Sequence, residues 1–93
     1  MKHYAWNADK NELLKRERGI SFEEVVFHIG AGDVADIFEH PDQRRYPGQS
    51  VLVVVVEDYA YLVPFVESEE EIFLKTIIPS RKATKQYVGD SDG

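Results

Sequence analysis

Three cations and an aromatic ring fall within seven residues near the C-terminus: Arg81, Lys82, Lys85 and Tyr87. They follow an apolar run, Ile77-Ile78, that stops at Pro79, and no acid stands between Lys75 and Lys85. Such a cluster suits phosphate chemistry. Cleaving an RNA phosphodiester without a metal calls for one group to deprotonate the 2′-hydroxyl and another to protonate the departing 5′-oxygen. It also calls for fixed positive charge on the phosphorane, usually the largest contribution. Arginine fits the last task, because its planar fork binds two phosphate oxygens and it stays charged. Arg81 is therefore the candidate for transition-state stabilisation, with Lys82 and Lys85 as phosphate contacts. Lys75, His40 and Tyr87 are the candidates for proton transfer, with the acid and base roles open among them.

The remaining candidates are thinner. His3, His28 and His40 match no metal-ligand spacing, and the chain has no cysteine, so no metal site and no cofactor is expected. There is no Gly-rich phosphate loop. His28 falls outside the apolar stripe of its helix and reads as a surface residue, and His40, beside Pro41, reads first as a turn residue and only second as a general base.

The elements that would hold these side chains can be read in order. Asn7 and Asp9 open a helix that Gly19 closes. Ser21 and Glu24 form a capping box for a second helix, with Ile20 and Val25 as its staple and Phe22, Val25, Val26 and Ile29 as its buried stripe. Four strands are predicted next: Val34 to Glu39, Val51 to Val56, Tyr59 to Val66, and Glu71 or Ile72 to Ile78. Val51 to Val56 is apolar at every position, as a strand covered on both faces should be. Pro64 demands a free side or a bulge in the third strand. In the fourth, alternation puts Phe73, Lys75 and Ile77 on the face opposite Ile72, Leu74 and Ile78. The expected fold is α+β: two N-terminal helices on one face of a curved four-stranded antiparallel sheet, with a short C-terminal helix or tail after Arg81. A single domain, 1–93, is expected, with 88–93 as a frayed tail.

Composition sets the bounds. Ninety-three residues with 43% apolar content support one small core. The net charge of −6 argues against a general polyanion binder, yet the charge is uneven, with Glu67, Glu69, Glu70 and Glu71 clustered apart from the basic end. The longest apolar run, Val51 to Val56, is too short for a membrane span, and no apolar segment of a signal peptide follows Lys2. A cytoplasmic protein without membrane association is the expectation.

Two motifs extend this reading. The opening Trp6-Asn7-Ala8-Asp9-Lys10-Asn11, followed by Gly19-Ile20-Ser21-Phe22-Glu23-Glu24, resembles the start of BrnT-type toxins. The end, Ile77-Ile78-Pro79-Ser80-Arg81-Lys82-Ala83-Thr84, is similar to that family's Ile-Ile-Ser-Ala-Arg-Lys-Ala-Thr. The resemblance implies a RelE-like fold and a metal-independent ribonuclease toxin of a type II toxin–antitoxin pair. Its expected partners are RNA and a BrnA-like antitoxin with a ribbon-helix-helix domain. It maps Arg81 onto the family's C-terminal functional arginine and Lys10 onto a lysine of the opening motif; Arg18, which stands where the family has histidine, joins the RNA-contact set. Asn7 replaces the family's aspartate, and Thr76 stands where a basic residue is common. Two other readings compete: a catalytically weak or inactive binding module that pairs with an antitoxin or another protein, and a structural protein that dimerises through the sheet by way of Tyr59, Tyr61 and Phe65.

Overall fold

The local signals near the N-terminus translate directly into helices. In the computed structural model, which describes residues 2–89, Asn7 accepts a hydrogen bond from the Lys10 amide at the start of helix α1 (Ala8–Arg18). Gly19 closes α1 in the left-handed region, φ 67°, where a side chain would be strained. Its amide donates to the Lys15 carbonyl. Ser21 caps α2 (Phe22–Gly30) by accepting from the Glu24 amide. Ile20, Phe22 and Val25 are buried, and Val26 and Ile29 pack against the same core.

The corner between these helices is fixed by Asn11, a buried polar residue that hydrophobic patterning does not single out. Its Oδ1 accepts from the Phe22 amide at 2.8 Å, and its Nδ2 donates to Glu23 Oε1 at 2.7 Å. These bonds satisfy groups that would otherwise be buried unpaired at the helix start. They also depress the Glu23 carboxyl below its usual range, with the Asn11 bond as the main cause.

The sheet is mixed, with order β1-β5-β4-β3-β2. Its strands are β1 (His3–Ala5), β2 (Val34–Glu39), β3 (Gln49–Val56), β4 (Tyr59–Glu67) and β5 (Glu71–Leu74), and the two-residue β6 (Ile78–Pro79) adds to β4. The antiparallel order β5-β4-β3-β2 follows from short connections. Glu57 and Asp58, both at positive φ, form the two-residue turn between β3 and β4. β3 lies between β2 and β4, and Val53 and Val54, on opposite faces, are both fully buried. Each such valine stabilises the fold by roughly 2 kcal/mol relative to exposure.

Three expectations are corrected. First, the sheet is not four-stranded and antiparallel: β1 pairs parallel to β5, Tyr4 opposite Ile72, although His3–Ala5 is too short to carry a strand pattern of its own. Second, the strand running on to Ile78 is broken after Leu74. Phe65 pairs with Leu74, so Pro64 would pair next with Lys75. The Lys75 amide does donate to the Pro64 carbonyl at 2.8 Å, but proline has no N–H to return the bond. The chain leaves the ladder at Lys75 and rejoins β4 at Leu62 through Ile78. Alternation fails across the break, so Leu74 and Ile77 are both fully buried in one core cluster.

Third, the chain does not fray at residue 88. α1 and α2 cover the face formed by Leu52, Val54, Val63, Phe65 and Leu74. The C-terminal helix, α3 (Arg81–Ala83) continuing into a π-helical turn (Thr84–Val88), covers Val53, Ala60 and Leu62 on the other. Val88 therefore belongs to a helical turn rather than to a frayed tail; residues 90–93 lie outside the described range. Phe65, expected at a dimer interface, is buried in the core beneath the N-terminal helices.

Candidate nucleic-acid interface

The basic C-terminal segment divides cleanly by side-chain direction. Ser80, Ala83, Thr84 and Tyr87 follow helical spacing and turn toward the sheet. The Ser80 amide donates to the Ala60 carbonyl at 3.0 Å, and the Ser80 hydroxyl accepts from the Ala83 amide at 3.0 Å. Thr84 Oγ1 accepts from the Ala60 amide and donates to the Ser80 carbonyl, both at 2.8 Å. Ala83 is buried against Val53 and Ala60. Arg81, Lys82 and Lys85 occupy the outward positions and are exposed. Among the described residues none of the three is ion-paired; the pairs are Lys2–Glu67, His3–Glu71, Lys15–Glu12 and His28–Asp33. Positive potential is thus concentrated on an otherwise acidic molecule.

Tyr87 anchors the end of this segment. Its hydroxyl donates to Asp36 Oδ2 at 2.6 Å. The Asp36 carboxyl is held below the usual carboxylate range, first by this bond and second by the Ile37 amide. The Tyr87 phenol is pushed up, first by the same bond and then by burial. The contact depends on an irregularity in β2. Val34 pairs with Val54, but Asp36, not Ala35, pairs with Val53. The extra residue at this bulge moves Asp36 to the face opposite Val34, where the C-terminal helix lies.

The other candidates sit elsewhere. Lys75, released from the ladder by Pro64, is exposed and holds its ammonium 5.6 Å from the centroid of the Phe73 ring. It lines an open groove of about 710 Å³ with Lys10, Leu13, Arg16 and Phe73, and Asn7 and Asp9 at the helix start. Arg18 donates from Nη1 to the Ile77 carbonyl at 2.6 Å, tying the end of α1 to the irregular stretch between β5 and β6. His40 lies in the loop after β2, its Nδ1 accepting from the Asp42 amide at 3.0 Å and its ring 4.4 Å from that of Tyr46. His28 is not a free surface residue: its Nδ1 lies 2.8 Å from Asp33 Oδ2.

The structure therefore brings Lys10 and Lys75 together, and places Arg81, Lys82 and Lys85 together on one short helical segment. It joins neither His40 nor Tyr87 to Lys75 through any hydrogen bond among the described residues. Lys82 and Tyr87 share a notch of about 150 Å³ with Phe38 and Leu62, too small for a nucleotide. Sequence reasoning passed over Arg16, although its spacing of three from Leu13 and six from Lys10 puts all three on neighbouring turns of one helix face. It passed over Asp36 because no pattern announces a bulge. No group of three or more histidine and carboxylate side chains among the described residues is arranged to hold a metal ion. Among the same residues, no helix is long and apolar enough to cross a membrane. Comparison with protein-family models, with curated proteins and with solved structures finds no match for this chain.

Proposed function

We propose that this chain is a BrnT-type toxin of a type II toxin–antitoxin pair, with a RelE-like fold, and that it cleaves mRNA without a metal ion. The observation that carries the reading is the exposed row Arg81, Lys82 and Lys85, free of acidic partners among the described residues, on a helix docked to β4 through Ser80 and Thr84. A rigid mount matters, because fixed charge stabilises a phosphorane only if it needs no reorganisation during the reaction. Arg81 takes the charge on the phosphorane, and Lys82 and Lys85 take the flanking phosphates. Tyr87 is a positioning residue in this scheme, since its hydroxyl donates its hydrogen bond to Asp36. The antiparallel strands β2 to β5 beneath α1 and α2 support the RelE-like part of this reading. A BrnA-like ribbon-helix-helix antitoxin is the proposed partner, the cytoplasm the proposed location, and self-association through the sheet a further proposed property.

One observation favours the second reading, a catalytically weak or inactive binding module. His40 and Tyr87 are engaged within the fold, and Lys75 lines a separate groove. Induced expression without antitoxin decides between the two. A ribonuclease arrests growth and degrades mRNA, and Arg81→Ala lowers cleavage by about 10²–10³-fold with the fold intact. Undisturbed growth with intact mRNA selects the binding module; an Arg81→Ala protein that stays toxic moves the site away from Arg81.

A further inference from the structure

The groove between α1 and the end of β5 is separate from the C-terminal cations, and its composition is specific. Lys10 and Arg16 come from the α1 wall, Lys75 from the β5 end, and Leu13 and Phe73 supply apolar surface. The acid in the lining is Asp9, so three cations face one carboxylate on a protein of net charge −6. Two features of the fold produce this local excess. The i, i+3 spacing of Lys10, Leu13 and Arg16 aligns them along α1, and the break at Pro64 turns Lys75 out of the sheet. Phe73 is half-buried, and the Lys75 ammonium lies 5.6 Å from its ring centroid, so the ring borders the groove at the point where charge gathers.

Cations on both walls around an aromatic ring are the elements of a single-stranded nucleic-acid channel. The charges follow the phosphates, and the ring stacks a base without reading its identity. An acidic peptide would use the charges and leave Phe73 idle. The volume of about 710 Å³ falls within the range of small-molecule sites and accommodates a nucleotide. We propose that this groove binds single-stranded RNA: Arg16, Lys10 and Lys75 contact successive phosphates, and Phe73 stacks a base in place of the Lys75 ammonium. The proposal rests on the ribonuclease reading for its choice of RNA. It gives Lys10, Arg16 and Lys75 a binding role separate from the contact made by the C-terminal segment, and it assigns the groove no bond-breaking step.

The test is fluorescence anisotropy with the full chain and a labelled 2′-O-methyl oligouridine of about ten nucleotides, a length typical of such sites. This probe cannot be cleaved through its 2′-position, so binding is read whether or not the protein is a nuclease. Arg16→Ala with Lys75→Ala is expected to weaken binding at least tenfold and to flatten the salt dependence by the equivalent of about two phosphate contacts. Phe73→Leu should weaken binding several-fold at unchanged salt dependence. Circular dichroism melting checks that the variants fold. The proposal is overturned by a wild-type protein that does not bind the probe, or by a double variant that binds like wild type. A double-variant loss with no effect of Phe73→Leu, and equal competition by inorganic polyphosphate, overturns nucleotide recognition and leaves a polyanion site. Failure here is distinct from failure of the ribonuclease reading, which is judged by mRNA integrity in cells expressing wild type and Arg81→Ala.

Discussion

The two basic regions of this molecule gather like charges by opposite means. The C-terminal segment is a short helix whose inward residues are bonded one by one to the sheet: Ser80 and Thr84 to Ala60, and Tyr87 to Asp36. Its cations are what remain on the outer side. The α1 groove is backed differently. Its wall is a regular helix whose buried side is held by Leu14 in the core and by Asn11 at the corner with α2. Its opposing cation, Lys75, is placed by the bond that Pro64 cannot make. The contrast teaches that exposed charge is positioned by whatever lies beneath it. Bonds to backbone suit a three-residue helix that could not stand alone, whereas apolar burial suits an eleven-residue one.

This contrast can be broken from either side. Beyond the large loss of cleavage expected for Arg81→Ala, the greatest effect on stability is predicted at Asn11. Asn11→Ala leaves the Phe22 amide buried without a partner and removes the bond to Glu23, and it should cost about 3 kcal/mol in urea denaturation. Because α1 carries Lys10 and Arg16, the groove should lose affinity, while the C-terminal segment, bonded to the sheet, keeps its own. Thr84→Val keeps the shape but strands the Ala60 amide, at a cost of about 1.5 kcal/mol. Its consequence should be one-sided: cleavage by the C-terminal segment falls, while oligouridine affinity of the groove stays within about twofold, since the sites share no residue. Equal losses at both sites would show that the regions are coupled.

The subtlest effect is on pH dependence. The Asp36 carboxyl is lowered in the folded state, so its contribution to stability is present above its unfolded value and is lost as pH falls through the folded one. The Tyr87 phenol is raised, so its contribution is present below its unfolded value and is lost as pH rises through the folded one. Tyr87→Phe should flatten both the acid and the alkaline limbs of the denaturation midpoint against pH. Both groups lie near solvent, so salt should shrink the difference. An unchanged profile would show that the bond to Asp36 does not hold the C-terminal helix.

Much of the framework was legible because it is set by neighbours in the chain. Asn7 and Ser21 accept from amides three residues on, Gly19 takes the left-handed turn, and the valine run of β3 needs cover on both faces wherever it is placed. The strands from Val34, Val51 and Tyr59 could be read for the same reason. The candidate site was legible only as a list of residue types. Lys75 and Arg81 are six apart and share one basic stretch, yet the chain leaves the sheet between them and sends them to different surfaces.

What the sequence determined by itself was the α+β order of elements, the caps and the identity of the cations, because each depends on interactions over three or four residues or on a repeating pattern. Tertiary structure alone decided which cations act together. Pro64 acts on Lys75 across a strand pair, Asn11 acts on Phe22 across a helix corner, and the bulge at Ala35 turns Asp36 to meet Tyr87, fifty-one positions away. Each is a hydrogen bond made, or missing, between residues that only the folded chain brings within about 3 Å of one another.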